Sequence, residues 1–139
     1  MCGIVGYVGK DEAAPILLDG LSRLEYRGYD SAGVAVYGAA EGMQVEKAKG
    51  RLQVLYDMVQ GGATLHGTIG VGHTRWATHG APSDVNSHPQ VSENGRFAVV
   101  HNGIIENYAE LREFLQSEGV QFVSDTDTEV AAQLLEYYY

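Results

Sequence analysis

The chain has 139 residues, 45% hydrophobic and 19% charged, with a formal net charge of −9. This is the composition of a single folded domain with a buried core, not of a disordered tail. The acid excess argues against nucleic acid and anionic membranes as main partners, though a site can still be locally basic. A single cysteine excludes an internal disulfide.

In chain order, Gly3–Val8 reads as a short buried strand of small and β-branched residues. Lys10–Glu25 reads as a helix, with Ala14, Leu17, Leu18, Leu21 and Leu24 at helical spacing and Asp11 as its cap. Arg27–Ser31 is a turn, and Ala32–Tyr37 and Met43–Lys49 are strands around a GAAEG hairpin loop. Arg51–Val59 is expected to be a helix with Leu52, Leu55 and Met58 on one face. Gly67–Arg75 is a strand, followed by about twenty residues of polar loop and then a buried strand at Phe97–His101. Asn107 and Glu110 have capping spacing ahead of a helix with Leu111, Phe114 and Leu115 inward. Thr126 and Glu129 repeat that signature ahead of Val130–Tyr139. Strands cluster beside strands, which favours an α+β fold over strict βαβ alternation. The last helix stays apolar to Tyr139 without a capping glycine, so the intact domain is expected to continue past it and to be C-terminally truncated here. No segment resembles a secretory leader or a membrane span, so a cytoplasmic location is expected.

Two motif readings fail on spacing. In "GIVGYVGK", Ile4 stands where a phosphate loop needs its first glycine, and it breaks the dinucleotide fingerprint as well. His73 and His79 are six apart, a spacing that fits no common zinc site, so neither a metal nor a cofactor is expected.

Cys2 stands directly behind Met1. A lone cysteine is ordinarily a small buried hydrophobe. Loss of Met1 would instead join a thiol and an α-amine on one residue. An α-amine of pKa about 7.7–8.0 is a competent base at neutral pH. Gly3 would let a substrate approach, and the strand behind would anchor the nucleophile. In "VVHNGIIEN", Asn102 and Gly103 either make a turn or supply the two donors of an oxyanion hole. In "HTRWATHG", Arg75 either snorkels from a surface loop or pairs with a carboxylate, with Thr78 and His79 as further donors. Asp127, in "SDTDTE", either starts a helix or receives an ammonium. Taken together, a cation and an anion for α-groups plus a thiol with an oxyanion hole describe an amino acid amide, glutamine.

"CGIVGYVG", "LEYRGYDSAG", "HTRWATHG", "NSHP", "HNGIIEN" and "SDTDTE", in this order, resemble the N-terminal glutaminase domain of the glutamine–fructose-6-phosphate aminotransferase family, within the class II N-terminal-nucleophile amidotransferases. The resemblance runs over essentially all of residues 1–139 and leaves the family's sugar-isomerase domains outside the chain. It implies a four-layer αββα sandwich, with Cys2 as nucleophile and its own amine as base. It implies an oxyanion hole of Asn102 and Gly103. Arg75, Thr78, His79 and Asp127 would hold the glutamine α-groups. Trp76 rides on a loop that closes over the substrate, and Arg27 supports closure. Ammonia would pass to a sugar-isomerase domain for transfer to fructose 6-phosphate, in a homodimeric full-length enzyme. A glutaminase serving phosphoribosyl diphosphate, or a fragment that binds glutamine without cleaving it, are the alternatives.

Overall fold

The computed structural model describes residues 2–24, 30–76 and 82–139. Arg27, Thr78 and His79 lie outside the described residues, as does most of the expected Arg27–Ser31 turn. The elements are β1 (Gly3–Val8), α1 (Ala13–Leu24), β2 (Ser31–Gly38), β3 (Gly42–Lys49) and α2 (Leu52–Met58) with a 3₁₀ turn at Gln60–Gly62, then β4 (Ile69–Arg75), β5 (Gln90–Val91), β6 (Ala98–Val99), α3 (Tyr108–Ser117) and α4 (Asp127–Tyr138).

Antiparallel pairing gives a four-stranded sheet in the order β1-β4-β2-β3 and a separate two-stranded ladder, β5-β6. Strand alternation sends successive side chains to opposite faces. On one face, Gly70 and Gly72 leave room for Leu17 and Leu21 of α1, and these leucines join Val34, Val36, Leu52 and Leu55 in the apolar core. On the other face lie Gly33 and His73. There His88, two residues ahead of β5, stacks on His73 with ring centroids 4.3 Å apart. β5 and β6 pack in turn against α4, and α4 against α3. The layers therefore run helix, sheet, ladder, helix. This is the expected αββα order, with a short second sheet.

Gly33 sets the spacing between the two β layers, because a Cβ there would overlap the His88 carbonyl. The second half of the chain is held largely by satisfied polar groups. Glu129, fully buried, accepts from the Val123 and Ser124 backbone, from Ser124 Oγ at 2.7 Å and from Gln133 Nε2 at 3.1 Å.

Several local expectations need correction. α1 starts at Ala13, two residues past Asp11, because its start is sutured to Gly67: Ala13 N–H donates to Gly67 O at 2.8 Å, and Gly67 N–H donates to Glu12 Oε2 at 3.0 Å. Met58 is 45% exposed and Val59 takes its place in the core, since the helix ends at Met58 and the backbone turns there. The strand expected over Phe97–His101 shrinks to Ala98–Val99 and is only half-buried. Phe97 is consumed by a turn closed on Ser92, and His101 N–H goes to His88 Nδ1 instead of a strand partner. The expected long loop accordingly contains β5. Asn107 precedes α3 with ψ near 25°, a turn conformation from which its side chain makes no capping bond, and Phe114 is 38% exposed. Thr126 does cap α4: its backbone is extended and Oγ1 accepts from Glu129 N–H at 3.3 Å.

Two outcomes are expected. Gly33→Ala forces the β layers apart, and should cost about 1–3 kcal/mol in urea denaturation of the full chain; an unchanged midpoint would contradict the packing. The second concerns pH. Burial lowers the pKa of His73 to about 4, against the opposing pull of its bond to Asn102. Burial likewise lowers that of His88, with the charges of His73, Arg75 and Lys47 adding to it. Below the ordinary value near 6.5 the unfolded chain takes up protons that the folded chain refuses. Stability is therefore expected to fall as pH drops from about 6.5 toward 4, by up to about 1.4 kcal/mol per pH unit for each histidine. Urea midpoints at pH 7, 6 and 5 read this directly.

Candidate active site

The site begins with strand register. β1 is an edge strand whose Gly3 lies opposite Thr74 of β4, and Gly3 N–H donates to Thr74 Oγ1 at 3.2 Å. Continuing the antiparallel register by one step puts Cys2 across from Arg75 and within reach of Trp76. Trp76 N–H donates to Cys2 Sγ at 3.0 Å, and Sγ lies 3.6 Å from the Trp76 carbonyl as its donor. The sulfur is thus held between both backbone polar groups of a single residue. Cys2 itself is half-buried. Gly3 does not serve the approach of a substrate. It is buried, and a Cβ there would meet Leu24 at 2.6 Å and Thr74 Oγ1 at 3.0 Å, so its missing side chain serves packing under α1.

The second component arrives from the loop after β6. Asn102 Nδ2 donates to the Cys2 carbonyl at 3.1 Å, and Asn102 Oδ1 lies 2.8 Å from His73 Nε2. Gly103 follows with φ of +141°, a conformation open to glycine and strained for other residues. Both residues of this pair are exposed.

Asp127, at the start of α4, is 3% exposed. Its Oδ2 accepts from Ile105 N–H at 2.7 Å, which ties the segment just past Gly103 to the helix. Arg75 ends β4, is also 3% exposed, and lies on the same sheet face as His73 by strand alternation. Its charge is one of the influences that keep His73 and His88 neutral. Trp76 is 54% exposed beside the sulfur.

Cys2, Trp76 and Asn102 are therefore joined by direct hydrogen bonds. Asp127 is joined to the Asn102–Gly103 segment through Ile105, and Arg75 flanks the group at the end of β4. Sequence reasoning passed over His73 and Thr74 as contributors. The signal was available: Gly70, Gly72 and Thr74 alternate with Val71, His73 and Arg75, which turns a histidine and an arginine together away from α1. Among the described residues no three His, Cys, Asp or Glu side chains converge as a metal-binding group, and no helix is long and apolar enough to cross a membrane. Chemically, a thiol beside an amide donor and a left-handed glycine has the parts for acyl transfer.

Comparison with known proteins identifies the family. The sequence profile of the glutamine amidotransferase domain matches residues 59–138. Over all 139 residues the chain is 63% identical to a glutamine–fructose-6-phosphate aminotransferase (isomerizing) of Caldanaerobacter subterraneus subsp. tengcongensis, of which it covers 22%. It is 60% identical over the same 139 residues to its counterpart from Thermus thermophilus, of which it covers 23%. The chain thus spans less than a quarter of the length of these curated relatives. Among solved structures it superposes on the glutamine phosphoribosylpyrophosphate amidotransferase of B. subtilis with a TM-score of 0.80 at 29% identity, covering 98% of this chain and 29% of that one. The profile match, the shared fold and the Cys2–Asn102 geometry lead to one conclusion: the chain belongs to the glutamine amidotransferase domain family.

Proposed function

We propose that this chain is the glutamine-hydrolysing module of a glutamine–fructose-6-phosphate aminotransferase, releasing ammonia for an acceptor site elsewhere in the full-length protein. The observation that carries the reading is the hydrogen-bonded meeting of Cys2, Trp76 and Asn102 at the edge of the sheet. Identities of 60–63% to the sugar-phosphate enzymes, against 29% to a phosphoribosyl enzyme, favour fructose 6-phosphate as acceptor.

On this reading Met1 is removed and the α-amine of Cys2 takes the thiol proton. The thiolate attacks the side-chain amide carbon of glutamine. Negative charge builds on the amide oxygen and is met by Asn102 Nδ2 and Gly103 N–H. The C–N bond then breaks, the protonated amine returns its proton to the leaving nitrogen, and ammonia departs, leaving a γ-glutamyl thioester on Cys2. Water activated by the same amine opens the thioester, giving glutamate and the free thiol. Strand anchoring matters here, because a frayed terminus could not hold sulfur and amine at attack distance.

Arg75 receives the substrate α-carboxylate, with Thr78 and His79 as further donors, and Asp127 receives the α-ammonium through the oxygen not engaged by Ile105. Trp76 and the segment after it close over the substrate, supported by Arg27. A sugar-isomerase unit, a homodimer and a cytoplasmic setting complete the reading for the full-length protein. A retained Met1 would remove the base and leave a protein that binds glutamine without cleaving it.

In the full chain, Cys2→Ala should abolish glutamate release from glutamine, and Asn102→Ala should lower kcat about 10²–10³-fold. Coupled assays of glutamate and ammonia measure both. Turnover undiminished in Cys2→Ala sinks the proposal.

A further inference from the structure

His73 is a fully buried, uncharged ring in the middle of the candidate site, and the chemistry above gives it no task. Its surroundings assign its protons. The Cys2 carbonyl can only accept, so the Asn102 atom facing it at 3.1 Å must be the NH₂ nitrogen. The other end of that amide is therefore the oxygen, which can only accept as well. It lies 2.8 Å from His73 Nε2, so Nε2 must carry the ring proton. Nδ1 is then a bare lone pair. By distance and angle Nδ1 makes no hydrogen bond among the described residues, while an interaction of the ring with the His101 backbone offsets part of the burial that keeps it neutral; the assignment stands on the two contacts of Asn102.

The ring is also enclosed by its neighbours. It sits on β4 between Ile4 of β1 and Gly33 of β2, and is stacked on His88 with an interplanar angle of 19°. His88 in turn accepts from His101 N–H, the residue before Asn102, at 3.4 Å. A side-chain amide has two orientations of similar shape. Only one of them turns NH₂ toward Cys2, and the other would direct two acceptors at each other there.

We propose that His73 is a positioning residue: its Nε2–H bond to Asn102 Oδ1 locks the Asn102 amide with its N–H groups facing Cys2. The inference rests on the reading of Asn102 as an oxyanion donor. Among the described residues His73 makes no hydrogen bond to Cys2, and its bond to Asn102 is the route by which it acts. Removing it leaves a donor of the right type free to rotate, so the loss falls on turnover and leaves substrate capture nearly intact.

The test uses the full-length protein. His73→Phe keeps a ring and removes the donor, and is expected to lower kcat for glutamine hydrolysis about 10- to 100-fold with KM changed less than about threefold. His73→Gln, whose amide N–H can reach Asn102 Oδ1, should recover most of that loss. The double variant His73→Phe/Asn102→Ala should be no slower than Asn102→Ala alone, because both changes break the same interaction. Losses that multiply in the double variant, or a His73→Phe enzyme as fast as the parent beside a slow Asn102→Ala, overturn the inference while leaving the oxyanion reading intact. Full turnover in Asn102→Ala removes that reading and the inference with it. Should the phenylalanine variant fail to fold, ¹⁵N NMR of the histidine-labelled parent decides: a proton on Nε2 of His73 supports the assignment, and one on Nδ1 overturns it.

Discussion

The pairing of an edge strand with its neighbour carries the rest of the site. Among the described residues β1 pairs with β4 alone, and the register that sets Gly3 opposite Thr74 places Cys2 beside Trp76. A slip of one residue would turn every β1 side chain to the opposite face and move Cys2 out of reach of Trp76. The register is secured from several directions. Gly3 N–H is tied to Thr74 Oγ1, Leu24 fills the space a side chain would take, and apolar residues of α1 pack across β1 and β4. A terminus is ordinarily the least ordered part of a chain. Here it is the first rung of a ladder whose other rail ends in Arg75 and Trp76.

The two β layers are bound to each other by different physics from the first. Beneath α1 the contact is apolar burial, of the kind worth about 1.5–3 kcal/mol for each large side chain removed from water. Between the layers it is polar and stacked: His73 on His88, the His88 loop seated on Gly33, and Lys49 N–H of β3 donating to Asp84 Oδ1 of the segment ahead of β5 at 2.7 Å. In the last layer Glu129 is surrounded by donors, and the Glu136 carboxylate accepts from Ser92 Oγ at 2.6 Å. Such bonds add about 0.5–1.5 kcal/mol each, yet breaking one leaves a buried group unsatisfied at greater cost. They fix geometry more than they add stability, which suits a layer that must deliver Asn102 to Cys2.

This difference explains what could be read from the sequence. The first half obeys periodicity: α1, β2, β3 and α2 lie within a few residues of their expected spans because apolar spacing decides them. In the second half side-chain hydrogen bonds decide, and periodicity misleads. Phe97–His101 looks like a buried strand, but Ser92 and His88 take its backbone donors. Asn107 has capping chemistry but the wrong backbone angle. Thr126 succeeds where Asn107 fails because its backbone is extended. At the site, the nucleophile candidate and the Asn-Gly pair were legible as chemistry. For His73 the alternation of β4 could show only that the ring faces away from α1; its contact with Asn102, 29 residues along the chain, could not be read there.

The same contacts bear on how recognition and chemistry could be linked. On the proposed reading Asp127 receives the substrate ammonium, and one of its oxygens also holds Ile105 N–H at 2.7 Å. Ile105 lies two residues past Gly103, so the carboxylate that would bind one end of the substrate also anchors the loop that would stabilise charge at the other. Asp127 is itself fixed by the capped start of α4, and Asn102 by His73. The Asn102–Gly103 loop is therefore held at both ends by buried side chains while its own surface stays exposed. Donors fixed before the reaction need no reorganisation as charge develops. An exposed pair tied on both sides to buried side chains meets that requirement better than a pair without such ties.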